Sequence, residues 1–95
     1  MRVKTHPGEI LKEEFLVPMG MSANALSIAL RVPATRISEI IRGRRGVTAE
    51  TALRLARYFG TTPQFWMNLQ QAYDLSVAEG SVGQIISNEI APHAA

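Results

Sequence analysis

Apolar residues recur at helical spacing along most of the chain, broken at short intervals by proline and glycine. Ile10, Leu11 and Phe15 give one apolar side to the stretch Glu9 to Val17, which Pro7 and Gly8 precede and Pro18 ends. Ser22 then stands as an N-cap before Ala23 to Leu30, where Leu26, Ala29 and Leu30 lie at i, i+3, i+4. Val32 and Pro33 interrupt after about two turns, and a third helix is predicted to begin there, with Ile37, Ile40 and Ile41 inward and Gly43 as its stop. Thr48 caps a fourth helix carrying Ala52, Leu55, Ala56 and Phe59, closed by Gly60. Thr62 and Pro63 open a fifth, whose Phe65, Trp66, Leu69, Ala72 and Tyr73 make a broad apolar face ending near Leu75.

From Ser76 onward the pattern fades. Gly80, Gly83 and Pro92 punctuate it, and Val82, Ile85, Ile86 and Ile90 leave room for one more short helix. The expected organisation is an all-α domain over residues 1–80 with a tail over 81–95, without repeats, low-complexity tracts or strand alternation.

Composition narrows the function. A chain of 95 residues supports one core, and a domain this small without disulfides gains stability from self-association, so a homodimer is expected. Cysteine is absent, which removes thiolate zinc sites and thiol nucleophiles; His6 and His93, near opposite ends, are expected to be solvated, so no metal and no cofactor is expected. The start MRVKTHPGEI has no apolar signal region and no run is long enough to span a bilayer, which gives a cytoplasmic expectation with no membrane partner. No histidine lies near a candidate nucleophile, no glycine loop is suited to phosphates, and the adjacent Glu13 and Glu14 point in different directions on a helix, so the chain is not expected to be an enzyme.

Charge adds the decisive local signal. The net charge of +2 hides seven arginines at positions 31, 36, 42, 44, 45, 54 and 57, opposed in that span only by Glu39 and Glu50. The local excess of five positive charges points to a polyanionic partner. Two short helices meeting at Arg31 to Pro33 have the lengths of a helix-turn-helix, whose second helix enters the DNA major groove. Thr35, with a hydroxyl and a methyl, and Arg36, with a fork matching guanine O6 and N7, are candidate base readers; Glu39 suits cytosine N4. Arg42, Arg44 and Arg45 suit phosphates, helped by backbone amides at the start of the second helix near Ser22, Ala23 and Asn24. The competing structural role for Arg36 is a surface pair with Glu39.

The segments HPGEIL, VPATRISEI, RGRRGVTAETALRLARYFGT and PQFWMNLQ, spread over His6 to Leu75, resemble the XRE-type (lambda-repressor-like) helix-turn-helix proteins and, within them, HigA-type antitoxins. The resemblance implies five helices, a homodimer on a pseudopalindromic operator in its own promoter, and a partner toxin of the RelE/HigB type that cleaves mRNA on the ribosome. Carried onto this sequence, the family's base-reading positions fall on Ala34, Thr35 and Arg36, with Ser38 and Glu39 one turn on, and its phosphate positions on Arg42, Arg44 and Arg45. Dimer contacts are implied for Phe65, Trp66, Leu69 and Tyr73, each of which competes with a place in the intramolecular core. Two departures stand out. Arg31 occupies a turn where glycine is common, implying either strain or an altered turn, and Ala23 replaces a glutamine that often buttresses the recognition helix. A stand-alone repressor without a toxin, and an adaptor using the fold without DNA, are the alternatives.

Overall fold

The computed structural model describes residues 3–94 and is helical throughout, with no strand among them. We number five helices. Helix α1 is continuous from Pro7 through an α-turn (Pro7–Ile10), a π-helical stretch (Leu11–Leu16) and a last turn (Val17–Met19); α2 is Ala23–Leu30, α3 Ala34–Ile41, α4 Ala49–Phe59 and α5 Pro63–Glu89. Each of α2, α4 and α5 starts where its cap was expected: the hydroxyls of Ser22, Thr48 and Thr62 accept the amides of Ala25, Thr51 and Phe65.

Pro18 does not end α1. A proline inside a regular α-helix lacks its amide and collides with the carbonyl four residues back; here the preceding turns widen, so that the Val17 amide reaches Lys12. The helix passes Pro18 and stops at Gly20, which takes a left-handed conformation.

Leu11, Leu16, Leu26, Leu30, Ile37, Ile40, Val47, Ala52, Leu55, Ala56 and Trp66 form the core. They come from all five helices and the α3–α4 loop, so the helical stripes read from the sequence converge. Trp66 is fully buried against Phe15, Phe59 and Phe65, with ring centroids 5.1, 6.3 and 5.0 Å away, and its indole N–H donates to the Thr61 hydroxyl at 2.8 Å. Phe65 and Ala72, expected on the same apolar face, remain exposed.

Gly8 sets the distance between α1 and α3. It is buried, and a Cβ there would lie 1.8 Å from the Ile40 carbonyl oxygen, so only glycine lets α1 start against the end of α3.

The largest difference from expectation is at the C-terminus. Residues 81–89, expected as a tail with room for a separate short helix, continue α5 without a break, and the molecule measures 52 × 24 × 22 Å. Ser76 is the last buried residue of α5; its hydroxyl receives the Lys4 amide at 2.9 Å, and every residue from Val77 to Glu89 except Gly83 is exposed. The sequence pattern faded because the apolar stripe changes sides. At 100° per residue Val82 lies roughly 160° around the helix from Trp66, so the two halves of α5 direct apolar residues oppositely and their periodicities cancel.

Candidate nucleic-acid interface

Helices α2 and α3 pack directly on one another and end in the same way. At the end of α2, the Val32 amide donates to the Ser27 carbonyl and the Arg31 amide to that of Ile28, the paired bonds of a Schellman motif. The motif requires a left-handed residue, and Arg31 supplies it at φ 59°, ψ 46°. Of the two alternatives open for this turn, the structure takes strain in an unaltered geometry; the cost is about 1 kcal/mol. At the end of α3 the same pair of bonds runs from Arg44 to Glu39 (2.8 Å) and from Gly43 to Ile40 (3.0 Å), with Gly43 at φ 73°.

That second motif fixes the basic loop. Arg42, Arg44 and Arg45 are exposed on a backbone tied to the last turn of α3, and a further anchor arrives from α5: the buried Gln70 side chain accepts the Val47 amide at 2.7 Å and donates to Asp74 at 2.9 Å. A Cβ on Gly46 would sit 3.0 Å from the Gln70 amide, so the loop and this side chain are closely packed. Gln70 was not among the sequence candidates. Its signal is a polar residue at i+4 from Trp66, on the side of α5 that otherwise faces the core.

The sequence candidates on α3 fall on one accessible side. Ala34 and Thr35 are exposed, and Ser38 is half-buried with its hydroxyl bonded back to the Thr35 carbonyl at 3.2 Å. Arg36 pairs with Glu50 in the first turn of α4 at 3.0 Å rather than with Glu39; Glu39 instead holds Arg45 at 3.0 Å. Both pairs are partly exposed, with side-chain exposures of 27% and 62% for the first and 47% and 40% for the second. Pairs this exposed contribute about 0–1 kcal/mol. Arg42 and Arg44 have no carboxylate partner among the described residues. Ser22 and Asn24 are exposed at the α2 N-terminus, where the first helical amides lack partners within the helix.

The candidates for self-association lie along one stretch of α5 and differ in exposure. Trp66 belongs to the core of its own chain, because its ring is enclosed by three phenylalanines and its N–H is satisfied there. Leu69 and Tyr73 are half-buried, Tyr73 packing edge-on against His6 with centroids 4.8 Å apart, and Phe65 is 38% exposed. His6 caps α1 by accepting the Gly8 amide at Nδ1, 2.9 Å away. Burial lowers its pKa from the ordinary value, with the nearby Asp74 opposing more weakly. Among the described residues no cluster of three or more histidine, cysteine, aspartate or glutamate side chains is arranged to hold a metal ion, and no helix is long and apolar enough to cross a membrane.

Comparison with known proteins agrees with this architecture. A helix-turn-helix family profile matches residues 11–66. Virulence-associated protein I of Dichelobacter nodosus is 64% identical over 74 residues, 78% of this chain and 68% of that protein. Antitoxin HigA-1 of Vibrio cholerae is 49% identical over 69 residues, 72% of this chain and 64% of that protein. Among solved structures, the Pseudomonas aeruginosa antitoxin HigA with the higBA promoter superposes with a TM-score of 0.93 at 48% identity, covering 95% of this chain and 98% of that one. An addiction module antidote protein of the HigA family from Coxiella burnetii gives a TM-score of 0.92 at 49% identity over 97% and 100% of the two chains. With five helices in this order, a basic loop behind the second helix of the motif and these relatives, the chain belongs to the XRE-type helix-turn-helix family, on its HigA-type branch.

Proposed function

We propose that the protein is a sequence-specific DNA-binding repressor and the antitoxin of a HigB/HigA-type pair. On this reading a homodimer binds a pseudopalindromic operator in its own promoter, excludes polymerase and neutralises a ribosome-dependent, mRNA-cleaving toxin. Its place is the bacterial cytoplasm, on the nucleoid when operator-bound. The observation that carries the reading is the rigid basic loop: Arg42 and Arg44, unpaired with any described carboxylate, stand on a backbone locked to the end of α3. A relative 48% identical in sequence was solved with its promoter.

In the proposed complex α3 lies in the major groove, with Ala34, Thr35, Arg36, Ser38 and Glu39 toward base edges. Arg42, Arg44 and Arg45, with the α2 N-terminus at Ser22 and Asn24, hold phosphates. Arg36 must leave Glu50 to reach a guanine. A bidentate arginine–guanine contact discriminates by about 1–3 kcal/mol, more than an exposed ion pair contributes, so the exchange favours DNA. Two recognition helices related by a two-fold axis address half-sites about 34 Å apart.

The test is a titration of the protein against its upstream promoter duplex and a scrambled duplex at several salt concentrations. The promoter should bind at least about a hundredfold more tightly, with affinity falling steeply as salt rises. Arg36→Ala should erase discrimination at one base pair per half-site, whereas Arg44→Ala should weaken both duplexes alike. Equal binding of the two duplexes by the unaltered protein would favour the adaptor reading. Promoter binding with no toxin gene beside this one would favour the stand-alone repressor.

A further inference from the structure

Helix α4 carries none of the base-reading candidates, yet one carboxylate in its first turn stands between two guanidinium groups. Glu50 Oε1 lies 3.0 Å from Nη1 of Arg36 on α3 and 3.9 Å from Nε of Arg54, one turn further along α4. The first distance is that of a hydrogen bond and the second is too long for one. Arg54 Nε is therefore buried without an acceptor among the described residues, a condition that costs free energy wherever a polar group has been withdrawn from water.

The three side chains are not equally free to move. Arg54 is pinned from its other end, because its Nη1 donates to the Leu30 carbonyl at the end of α2, 2.9 Å away. That bond ties the guanidinium to the helix-turn-helix and fixes the place of Nε. The Glu50 side chain is 62% exposed, and its hydrogen bond among the described residues is to Arg36, so its carboxylate is the part that can swing. Glu50 and Arg54 stand at i, i+4 with the acid first, the orientation in which such a pair forms best on a helix. Closing it requires the carboxylate to shift by about 1 Å. If Arg36 turns toward a guanine, Glu50 is left as a free carboxylate close to a polyanion, with the unused Nε of Arg54 beside it.

We propose that Glu50 is a positioning residue with two seats: it holds Arg36 in the free protein and passes to Arg54 when Arg36 engages the operator. Arg54 thereby acts on base reading without touching DNA. It neutralises the carboxylate that Arg36 leaves behind and gains the acceptor that its buried Nε lacks, so releasing Arg36 costs less than breaking an ion pair outright. The proposal rests on the reading of Arg36 as a base reader and specifies what makes its release possible.

The test reads the ratio of affinities for the promoter and scrambled duplexes, which a partial loss of folded protein leaves unchanged because it lowers both alike. Arg54→Met should lower that ratio about threefold, and Glu50→Ala, which removes the competitor for Arg36, should raise it by about as much. In the Glu50→Ala background Arg54→Met should no longer move the ratio, since no carboxylate then needs a seat. An equal effect of Arg54→Met with and without Glu50, or a fall in both affinities at constant ratio, would make Arg54 a direct DNA contact or a purely structural group and overturn the proposal. A second readout uses the unaltered side chains. In ¹H–¹⁵N spectra the Arg54 Nε–H signal, identified by its loss in Arg54→Lys, should move downfield when the promoter duplex is added to the unaltered protein and stay in place when it is added to Arg36→Ala. A signal that does not move in the unaltered protein would overturn the transfer, even if Arg54→Met proved too unstable to measure. Full discrimination by Arg36→Ala would remove the base-reading role and this proposal with it. Lost discrimination in Arg36→Ala, with ratios unchanged in Glu50→Ala and Arg54→Met, would leave Arg36 as a base reader and overturn the two-seat exchange alone.

Discussion

Between Pro63 and Ser76, one side of α5 is tied into its own chain: Trp66 is enclosed, Gln70 holds the basic loop, and Ser76 receives the backbone of the N-terminal segment. Between Val77 and Glu89 the same helix continues, yet none of its residues is buried, and Val82, Ile85 and Ile86 are directed away from the side that carries Trp66. The difference teaches that helix continuity and core membership are separate properties. Backbone hydrogen bonding carries a helix forward, but only tertiary contact decides which face is inside. An arm of this kind contributes little to monomer stability, and its sequence is shaped by whatever covers it.

The comparison can be broken most forcefully on the buried side. Trp66→Ala should cost about 3–5 kcal/mol, because it empties the centre of the aromatic cluster and strands the Thr61 hydroxyl. Thermal unfolding followed by circular dichroism should show a fall in midpoint of many degrees, or no cooperative transition. A far smaller effect, and of opposite sign, is expected at the end of α2. Arg31→Gly removes left-handed strain but adds unfolded-state entropy, for a net gain of up to about 1 kcal/mol, readable as a shift in the urea midpoint with an unchanged slope.

His6 provides a pH-dependent probe of the same body. Its folded pKa lies below the unfolded value, so the unfolded chain takes up the proton first. Stability should be constant above about pH 7, decline as pH falls through the window just below the ordinary histidine value, and level off once the folded form is also protonated. Protonation at Nδ1 also removes the acceptor that caps Gly8. His6→Asn keeps a capping oxygen and should flatten this decline; an unchanged pH profile in that variant would assign the effect to another group. The smallest change in monomer stability belongs to the arm. Ile86→Ser should shift unfolding by less than about 0.5 kcal/mol in dilute solution, read from the urea midpoint.

Much of the fold was legible because it is written locally. Capping hydroxyls at Ser22, Thr48 and Thr62, stops at Gly43 and Gly60, and apolar stripes on α3 and α4 act over a few residues, and the structure places them as the pattern required; on α2 Leu26 and Leu30 are buried as expected, but Ala29 is exposed and Ser27 is buried in its stead. The grouping of Thr35, Arg36, Arg42 and Arg44 near one another was legible for the same reason, since α3 and its loop are contiguous in sequence. What escaped was decided by distance. Arg36 is 14 residues from Glu50 and Gln70 is 23 from Val47, and no local spacing rule reaches that far. Pro18 misled because a widened turn absorbed it, and the end of α5 because its two stripes oppose each other. Trp66 was carried over as an interface candidate from the family resemblance, with the core as its competing place, and its enclosure by Phe15, Phe59 and Phe65 puts the ring in the core.

The contact at Gly8 bears on how such a protein tolerates change. Since a single methyl there would meet the Ile40 carbonyl at 1.8 Å, position 8 admits one amino acid of the twenty without moving α1 off the recognition helix. A saturation library scored for DNA binding would therefore mark residue 8 as sharply as any arginine of the basic loop, although its backbone need never approach a nucleotide. Intolerance at that position would measure the spacing of two helices, and the two kinds of intolerance separate as soon as the same library is scored for folding instead.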